Sequence, residues 1–206
     1  MIYLFTEYNL INDNNFPALF EKLPEQRQHK ALRFRNSGGR ISCVVGYLLF
    51  LFGFRNIYRQ NGSPEFACGK NGKPYLKDYP DIFFNISHCN GAAACVFGDA
   101  PVGIDIQDIR NTKPVHIRRV CSENEINLIK AAKSHNSEFC RIWSVKEAVS
   151  KLNADGVFRD IRQVSGEGYN LFTTLIGPDK YMSAVSSDNS ADFSVHVITL
   201  DDLLSL

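Results

Sequence analysis

Phe83-Phe84-Asn85-Ile86-Ser87-His88-Cys89-Asn90-Gly91-Ala92-Ala93-Ala94-Cys95-Val96-Phe97 reads as two strands, Phe83–Ser87 and Ala92–Phe97, joined by a turn at Asn90-Gly91. Gly98-Asp99-Ala100-Pro101 then breaks the chain before a further strand, Val102 to Ile106. Upstream, Leu23-Pro24-Glu25 predicts a helix start, with proline in the first turn and an acid near the positive end of the dipole. That helix is expected to reach about Arg35 and to stop at Ser37-Gly38-Gly39, with a second helix from about Arg40 to Phe54. Residues 2–10 alternate weakly and predict a first strand. Downstream, a helix is expected from Asn136 or Ser137 to Asn153, stopped by Gly156 of Asp155-Gly156. Strands follow at Gly168–Thr174, Lys180–Ser186 and Phe193–Thr199. The pattern is α+β. Helix followed by antiparallel strands in each half hints at duplication, with a subdomain boundary near Pro101: residues 1–101 and 102–206.

Composition narrows the function classes. Hydrophobic content of 44% against 22% charged residues belongs to a packed chain, not a disordered one. The net charge of +1 hides a basic stretch: no acid occurs between Glu25 and Glu65, where Arg27, Lys30, Arg33, Arg35, Arg40, Arg55 and Arg59 lie. Such a field attracts phosphates or acidic partners, although a solvated basic face has the same composition. Six cysteines without a CxxC pair argue against zinc, and no basic leader marks secretion. Cysteine is then expected as a small buried residue in a reducing cytoplasm. The most apolar stretch, Cys43 to Phe54, is about half the length of a membrane span and reads as a buried helix.

The chemistry lies in three short segments. In Gly103-Ile104-Asp105-Ile106-Gln107, Asp105 and Gln107 share one strand face, and their oxygens suit a hard cation such as magnesium. In Trp143-Ser144-Val145-Lys146-Glu147-Ala148-Val149-Ser150-Lys151, residues 143, 147 and 151 form a helical row. It borders an apolar stripe of Phe139, Ile142, Val149 and Leu152. Lys146 is expected beside Glu147 on that same side. A surface Glu–Lys pair contributes only ~0.3 kcal/mol; at the edge of a core stripe it can instead grip a metal and a phosphate. Ser87 and His88 are adjacent on a strand and face opposite ways, so they read as phosphate contacts and not as a nucleophile–base pair. Gly72-Lys73-Pro74 adds backbone amides and a cation. No Walker A, GxSxG or HExxH sequence occurs.

Taken together, Gly72-Lys73-Pro74, Asn85-Ile86-Ser87-His88, Gly103-Ile104-Asp105 and Trp143 to Lys151 resemble the surfactin-synthetase-activating type of 4′-phosphopantetheinyl transferase. Lys30-Ala31-Leu32-Arg33-Phe34 followed by Arg40 adds to the likeness, which runs from about Glu25 to Ser186. The resemblance implies transfer of the phosphopantetheine arm of coenzyme A to a serine of an apo acyl or peptidyl carrier protein, with release of 3′,5′-adenosine bisphosphate. It also implies two similar subdomains, a pseudo-twofold pair, each a mostly antiparallel sheet packed on a long helix. Coenzyme A would lie between them.

Position by position, the resemblance assigns Asp105 and Glu147 to Mg2+, and Gln107 stands where the family often has a glutamate as third ligand. Lys30, Arg33, Arg40, Lys73, Pro74, Ser87 and His88 match positions that hold the nucleotide end of coenzyme A. Lys146 and Lys151 match lysines near the pyrophosphate, Glu125 matches a further acidic position near the metal, and Cys89 stands where serine is common. Glu147, directly or through a water, is the implied base. A monomer is expected, because one chain encodes both halves of the cleft. No nucleic-acid or membrane partner is expected. The competing readings are a polyanion- or nucleic-acid-binding module built on Arg27 to Arg59, and an inactive paralogue that binds coenzyme A.

Overall fold

The computed structural model describes residues 1–154 and 160–206. The expected α+β class holds. Four strands make the first sheet: β1 (Ile2–Phe5), β4 (Phe83–Cys89), β5 (Ala92–Gly98) and β9 (Val195–Val197), in the order β4-β5-β1-β9. β1 is antiparallel to β5 and parallel to β9. A small ribbon of β2 (Phe66–Cys68) and β3 (Pro74–Leu76) stands apart. The second sheet is antiparallel, β6 (Val102–Asp108), β8 (Lys180–Ser186) and β7 (Asn170–Ile176), in the order β6-β8-β7.

Alternation along the strands decides what packs where. Tyr3, Phe5, Ala93, Cys95 and Phe97 point to one face of the first sheet and meet the long helix α3 (Ser37–Tyr58). The intervening Ile2, Leu4, Ala92, Ala94 and Val96 point the other way, onto Val102, Ile104, Ile106, Met182 and Ala184 of the second sheet. The far face of that second sheet carries α6 (His135–Asn153), packed on β6 and β8. The layers are therefore helix, sheet, sheet, helix. The shorter α1 (Phe16–Glu21), α2 (Glu25–Leu32) and α7 (Leu200–Leu204) lie against α3, while α4 (Pro114–Val120) and α5 (Glu123–Ala131) stand beside α6.

Several boundaries differ from the sequence reading. The first strand stops at Phe5, and Tyr8–Leu10 is a single 3₁₀ turn. α2 ends at Leu32, not near Arg35. Ser37-Gly38-Gly39 is not a stop but the first turn of α3, because the Asn36 side chain accepts the Gly39 N–H at 2.6 Å. Glycine is needed there for space: a Cβ on Gly39 would lie 2.7 Å from the Phe34 ring. α3 then runs to Tyr58, beyond the expected end at Phe54, and closes on Arg59 in the left-handed region at φ 53.

At 22 residues α3 is long and apolar enough to cross a membrane, yet 61% of its most apolar window is buried inside the protein. Its Phe50 ring packs among Phe66, Phe84 and Phe97, so the apolarity serves a core covered from both sides. β7 lies two residues later than expected. The strand expected over Phe193–Thr199 shortens to Val195–Val197 and joins the first sheet, where the free edge of β1 accepts it. α6 starts slightly early, capped by Ser134, and closes on Ala154 at φ 54. The expected stop at Asp155-Gly156 lies outside the described residues.

Candidate active site

Gly103 sets the distance between β6 and α6. A Cβ there would run into the Ala148 carbonyl oxygen and come within 2.7 Å of the Leu152 nitrogen, both on the helix backbone. The close approach presses the next outward residue of β6, Asp105, against α6 and leaves it 2% exposed. Gly103→Ala is expected to push helix from strand and cost about 2–3 kcal/mol, visible as a lower melting temperature; an unchanged melting temperature would contradict this packing.

Asp105 is held from two sides. Its Oδ1 accepts from Lys151 Nζ at 2.6 Å and from the Ser87 hydroxyl at 3.0 Å. Its Oδ2 is buried and has no hydrogen-bond partner among the described residues. The edges of β4 and β6 meet here without a backbone ladder. Instead the Asn85 amide oxygen accepts the Ile104 N–H at 3.0 Å, and the Ser87 hydroxyl accepts the Ile106 N–H at 3.3 Å. The alternation of Asn85 and Ser87 is thus a stitch between the two sheets, which motif reading did not foresee for Asn85. Ser87, 5% exposed, uses its hydroxyl on Ile106, Asp105 and Lys151. His88 faces the other way and is exposed.

Above Asp105 opens a cleft of about 970 Å³, within the range typical of ligand sites. Its floor is the α6 row Phe139, Trp143, Glu147 and Lys151, four residues apart along one helix face, with Ala154 at the helix end. One wall comes from the first half of the chain, through Asn71 to Pro74 with Asn85 and Ile86; the other comes from Arg110 to Thr112, His116, Arg119, Val120 and Ile161. Burial first, and the Asp105 charge second, raise the Glu147 carboxyl above its ordinary range, with Lys151 opposing. Lys151 pairs with Asp105 and only offsets part of the Glu147 shift.

Among the described residues no group of three His, Cys, Asp or Glu side chains gathers as a metal site. The donors present nevertheless fit a hard divalent cation. The unpartnered Asp105 Oδ2 is an acceptor without a donor, and it lies near enough to Glu147 for the two charges to interact. Gln107 is half-buried on the same strand face as Asp105, paired with Tyr181 across the sheet, and does not line the cleft.

The expected cations divide. Lys73 lines the cleft, and its ammonium donates to Leu152 O at 2.8 Å and Val102 O at 3.2 Å. It thereby ties the end of α6 to the start of β6, and burial lowers its pKa. Lys30 and Arg33 are exposed on the first half, and Arg40 donates to Phe34 O at 3.3 Å; none of the three lines the cleft. Arg27 turns inward and stacks over Phe66 and Tyr47, with 4.4 Å and 4.9 Å to the ring centroids.

The expectation that Lys146 reaches the cleft beside Glu147 is corrected. Consecutive helix residues point about 100° apart, and Lys146 is 1% exposed and does not line the cleft. Its ammonium donates to Val164 O at 2.6 Å and Ile161 O at 3.0 Å, and pairs with Glu125 at 2.9 Å. Glu125 likewise stays out of the cleft, since it also closes the capping box of α5 on Ser122. Arg110, His116 and Arg119 were missed. Their signal is a second acid-free basic stretch, between Asp108 and Glu123.

The family model of the 4′-phosphopantetheinyl transferase superfamily (ACPS) matches residues 101–194. The 4′-phosphopantetheinyl transferase psf-1 of Bacillus pumilus is 31% identical over 138 residues, covering 66% of this chain and 56% of the relative. Sfp of Bacillus subtilis is 31% identical over 140 residues, covering 65% and 61%. The gsp protein of Aneurinibacillus migulanus is 30% identical over 155 residues, covering 73% and 64%. The chain thus spans 56% to 64% of the length of these relatives. Residues 101–194 are thus similar to the 4′-phosphopantetheinyl transferase superfamily, and the chain is similar to its Sfp-type members.

Proposed function

We propose that the protein transfers the 4′-phosphopantetheine arm of coenzyme A to a serine of an apo carrier protein and releases 3′,5′-adenosine bisphosphate. The observation that carries this reading is the buried Asp105, with one oxygen on Lys151 and the other unpartnered among the described residues, next to a cleft lined by Glu147 and Lys151. Asp105 and Glu147 would hold a magnesium ion, with Gln107 as a further oxygen donor. When bound, that ion supplies positive charge to the pyrophosphate oxygens. Lys151 would place its ammonium beside the same oxygens, where charge develops as the bond to the departing nucleotide breaks. The serine oxygen forms the new bond to the β-phosphorus while its proton passes to Glu147, directly or through a water. Burial suits Glu147 to that task, because a carboxylate with a raised pKa is the stronger base.

The nucleotide end of coenzyme A would lie on the first half, along Lys73, Pro74 and His88 toward Lys30, Arg33 and Arg40. Charge-neutral glutamine replacements of Lys30, Arg33 and Arg40 are expected to raise the KM for coenzyme A more than they lower kcat, because these side chains stand away from the reacting phosphorus. Equal losses in kcat with an unchanged KM would contradict the assignment.

Residues 1–101 and 102–206 read as similar subdomains related by a pseudo-twofold axis, each with its long helix on its sheet; β9 and α7 cross back to the first. Both walls of the cleft come from one chain, which supports a monomer. A sedimentation mass near 23.2 kDa is expected, and twice that value would overturn the point. Six free cysteines accord with a reducing cytoplasm. Neither nucleic acid nor membrane is required by this reading. Chromatography of the nucleotide product tests the chemistry: 3′,5′-adenosine bisphosphate should appear with apo carrier and stay absent when the carrier serine is replaced by alanine.

A further inference from the structure

We infer that Lys146 is a positioning residue that fixes the acceptor-side wall of the cleft, and that it does not contact coenzyme A. The inference rests on the proposed transfer reaction. It also departs from the role that the family resemblance carries onto this lysine.

A lysine 1% exposed must have its ammonium satisfied, because an unpaired buried charge is strongly unfavourable. Lys146 meets that need behind the cleft wall and does not itself line the cleft. Its acceptors are the carbonyls of Ile161, Val164 and, at 3.4 Å, Arg162, together with the Glu125 carboxylate. These contacts join three elements. α6 supplies the lysine and, one residue on, Glu147. α5 supplies Glu125, whose other oxygen accepts the Ser122 N–H at 2.7 Å and so fixes the start of that helix. The third is the return segment 160–164, a single turn begun by Asp160, whose carboxylate accepts the Arg162 N–H at 3.1 Å.

That return segment forms part of the cleft. Ile161 lines it, Val164 is 1% exposed beneath α6, and the turn packs on α4, which contributes His116, Arg119 and Val120 to the same wall. The opposite wall carries Lys73 and Pro74, which the proposed function gives to the nucleotide. The carrier serine must approach from the side the nucleotide leaves open. Lys146 therefore governs the acceptor's wall through its backbone acceptors.

Steady-state kinetics in each substrate separate this role from a phosphate contact. Lys146→Met is expected to raise the KM for apo carrier about tenfold, equivalent to ~1.4 kcal/mol of carrier binding, with the KM for coenzyme A unchanged within about twofold. Glu125→Gln should move the same parameter in the same direction. It keeps the carbonyl contacts, so it serves if Lys146→Met does not fold. A raised KM for coenzyme A, or a lower kcat with unchanged carrier KM, would overturn the inference and return Lys146 to the pyrophosphate. A readout independent of activity is amide hydrogen exchange in either variant. Faster exchange over residues 160–164 and 114–120 is expected, and unchanged exchange there would overturn the inference even if the wild-type chain proved to catalyse a different reaction.

Discussion

Asp105→Asn is expected to lower the rate of phosphopantetheine transfer by about a hundredfold or more while the protein stays folded. The substitution is nearly isosteric and keeps one acceptor for Lys151 and Ser87, so the stitch between β4 and β6 survives. What it removes is the charge, and it puts an N–H₂ donor or a neutral oxygen at the buried position now held by the unpartnered Oδ2. A cation that needs that oxygen loses its strongest ligand. Glu147→Gln should act alike, because Glu147 serves both as ligand and as base in the proposed reaction. The check is the initial rate with apo carrier, beside circular dichroism for the fold. Retention of more than about a tenth of the rate in either variant would sink the assignment.

Lys151→Met should have the second largest effect, and on stability as well as rate. Lys151 is the ammonium that meets Asp105 at 2.6 Å, and Asp105 already raises the pKa of Glu147 by repulsion. Without the lysine, a carboxylate side chain only 3% exposed keeps a single hydroxyl donor and still faces a second acid. Breaking such a pair costs about 3 kcal/mol, or roughly 10 °C in melting temperature for a chain of this size. A divalent cation that settles on Asp105 and Glu147 would replace the missing charge. The variant should therefore regain more melting temperature on adding magnesium than the wild-type protein gains. A variant that melts alike with and without magnesium would show that the two carboxylates do not form a cation site.

The fold was legible wherever one period dominated. The hairpin at Asn90-Gly91, the strand Lys180–Ser186 and the long α6 follow directly from alternation, a turn pair and a helical stripe. Three features were not. Ser37-Gly38-Gly39 reads as a break by propensity, but a side-chain cap at Asn36 and the crowding of Phe34 turn it into a helix start. Val195–Val197 carries no mark of its partner, because a three-residue edge strand is placed by the free edge it meets. Ala154 ends α6 in the left-handed region, where glycine would be the usual choice.

The site divides in the same manner. Asp105, Glu147 and Lys151 were readable because strand and helix spacing put each on a defined face, and the structure brings them together. Lys146 was not, since a helix turns by about 100° per residue and only burial against Val164 and Glu125 reveals which way the side chain goes. Asn85 reads as a strand residue and Ser87 as a phosphate contact until β6 is placed beside them and both accept its N–H groups. Arg110, His116 and Arg119 share a basic composition with many solvated faces, and only the cleft singles them out.

The central claim is that this cleft moves a phosphopantetheine arm from coenzyme A to a carrier serine. Intact-mass measurement of a purified apo carrier protein, incubated with this protein, coenzyme A and magnesium, tests it most directly. The account predicts a gain of one phosphopantetheine per carrier, lost with Asp105→Asn, with Glu147→Gln, and when the carrier serine is replaced by alanine. A carrier whose mass stays unchanged across acyl and peptidyl types, with the wild-type protein folded and binding coenzyme A, would contradict it and leave a chain that holds the nucleotide without transferring from it.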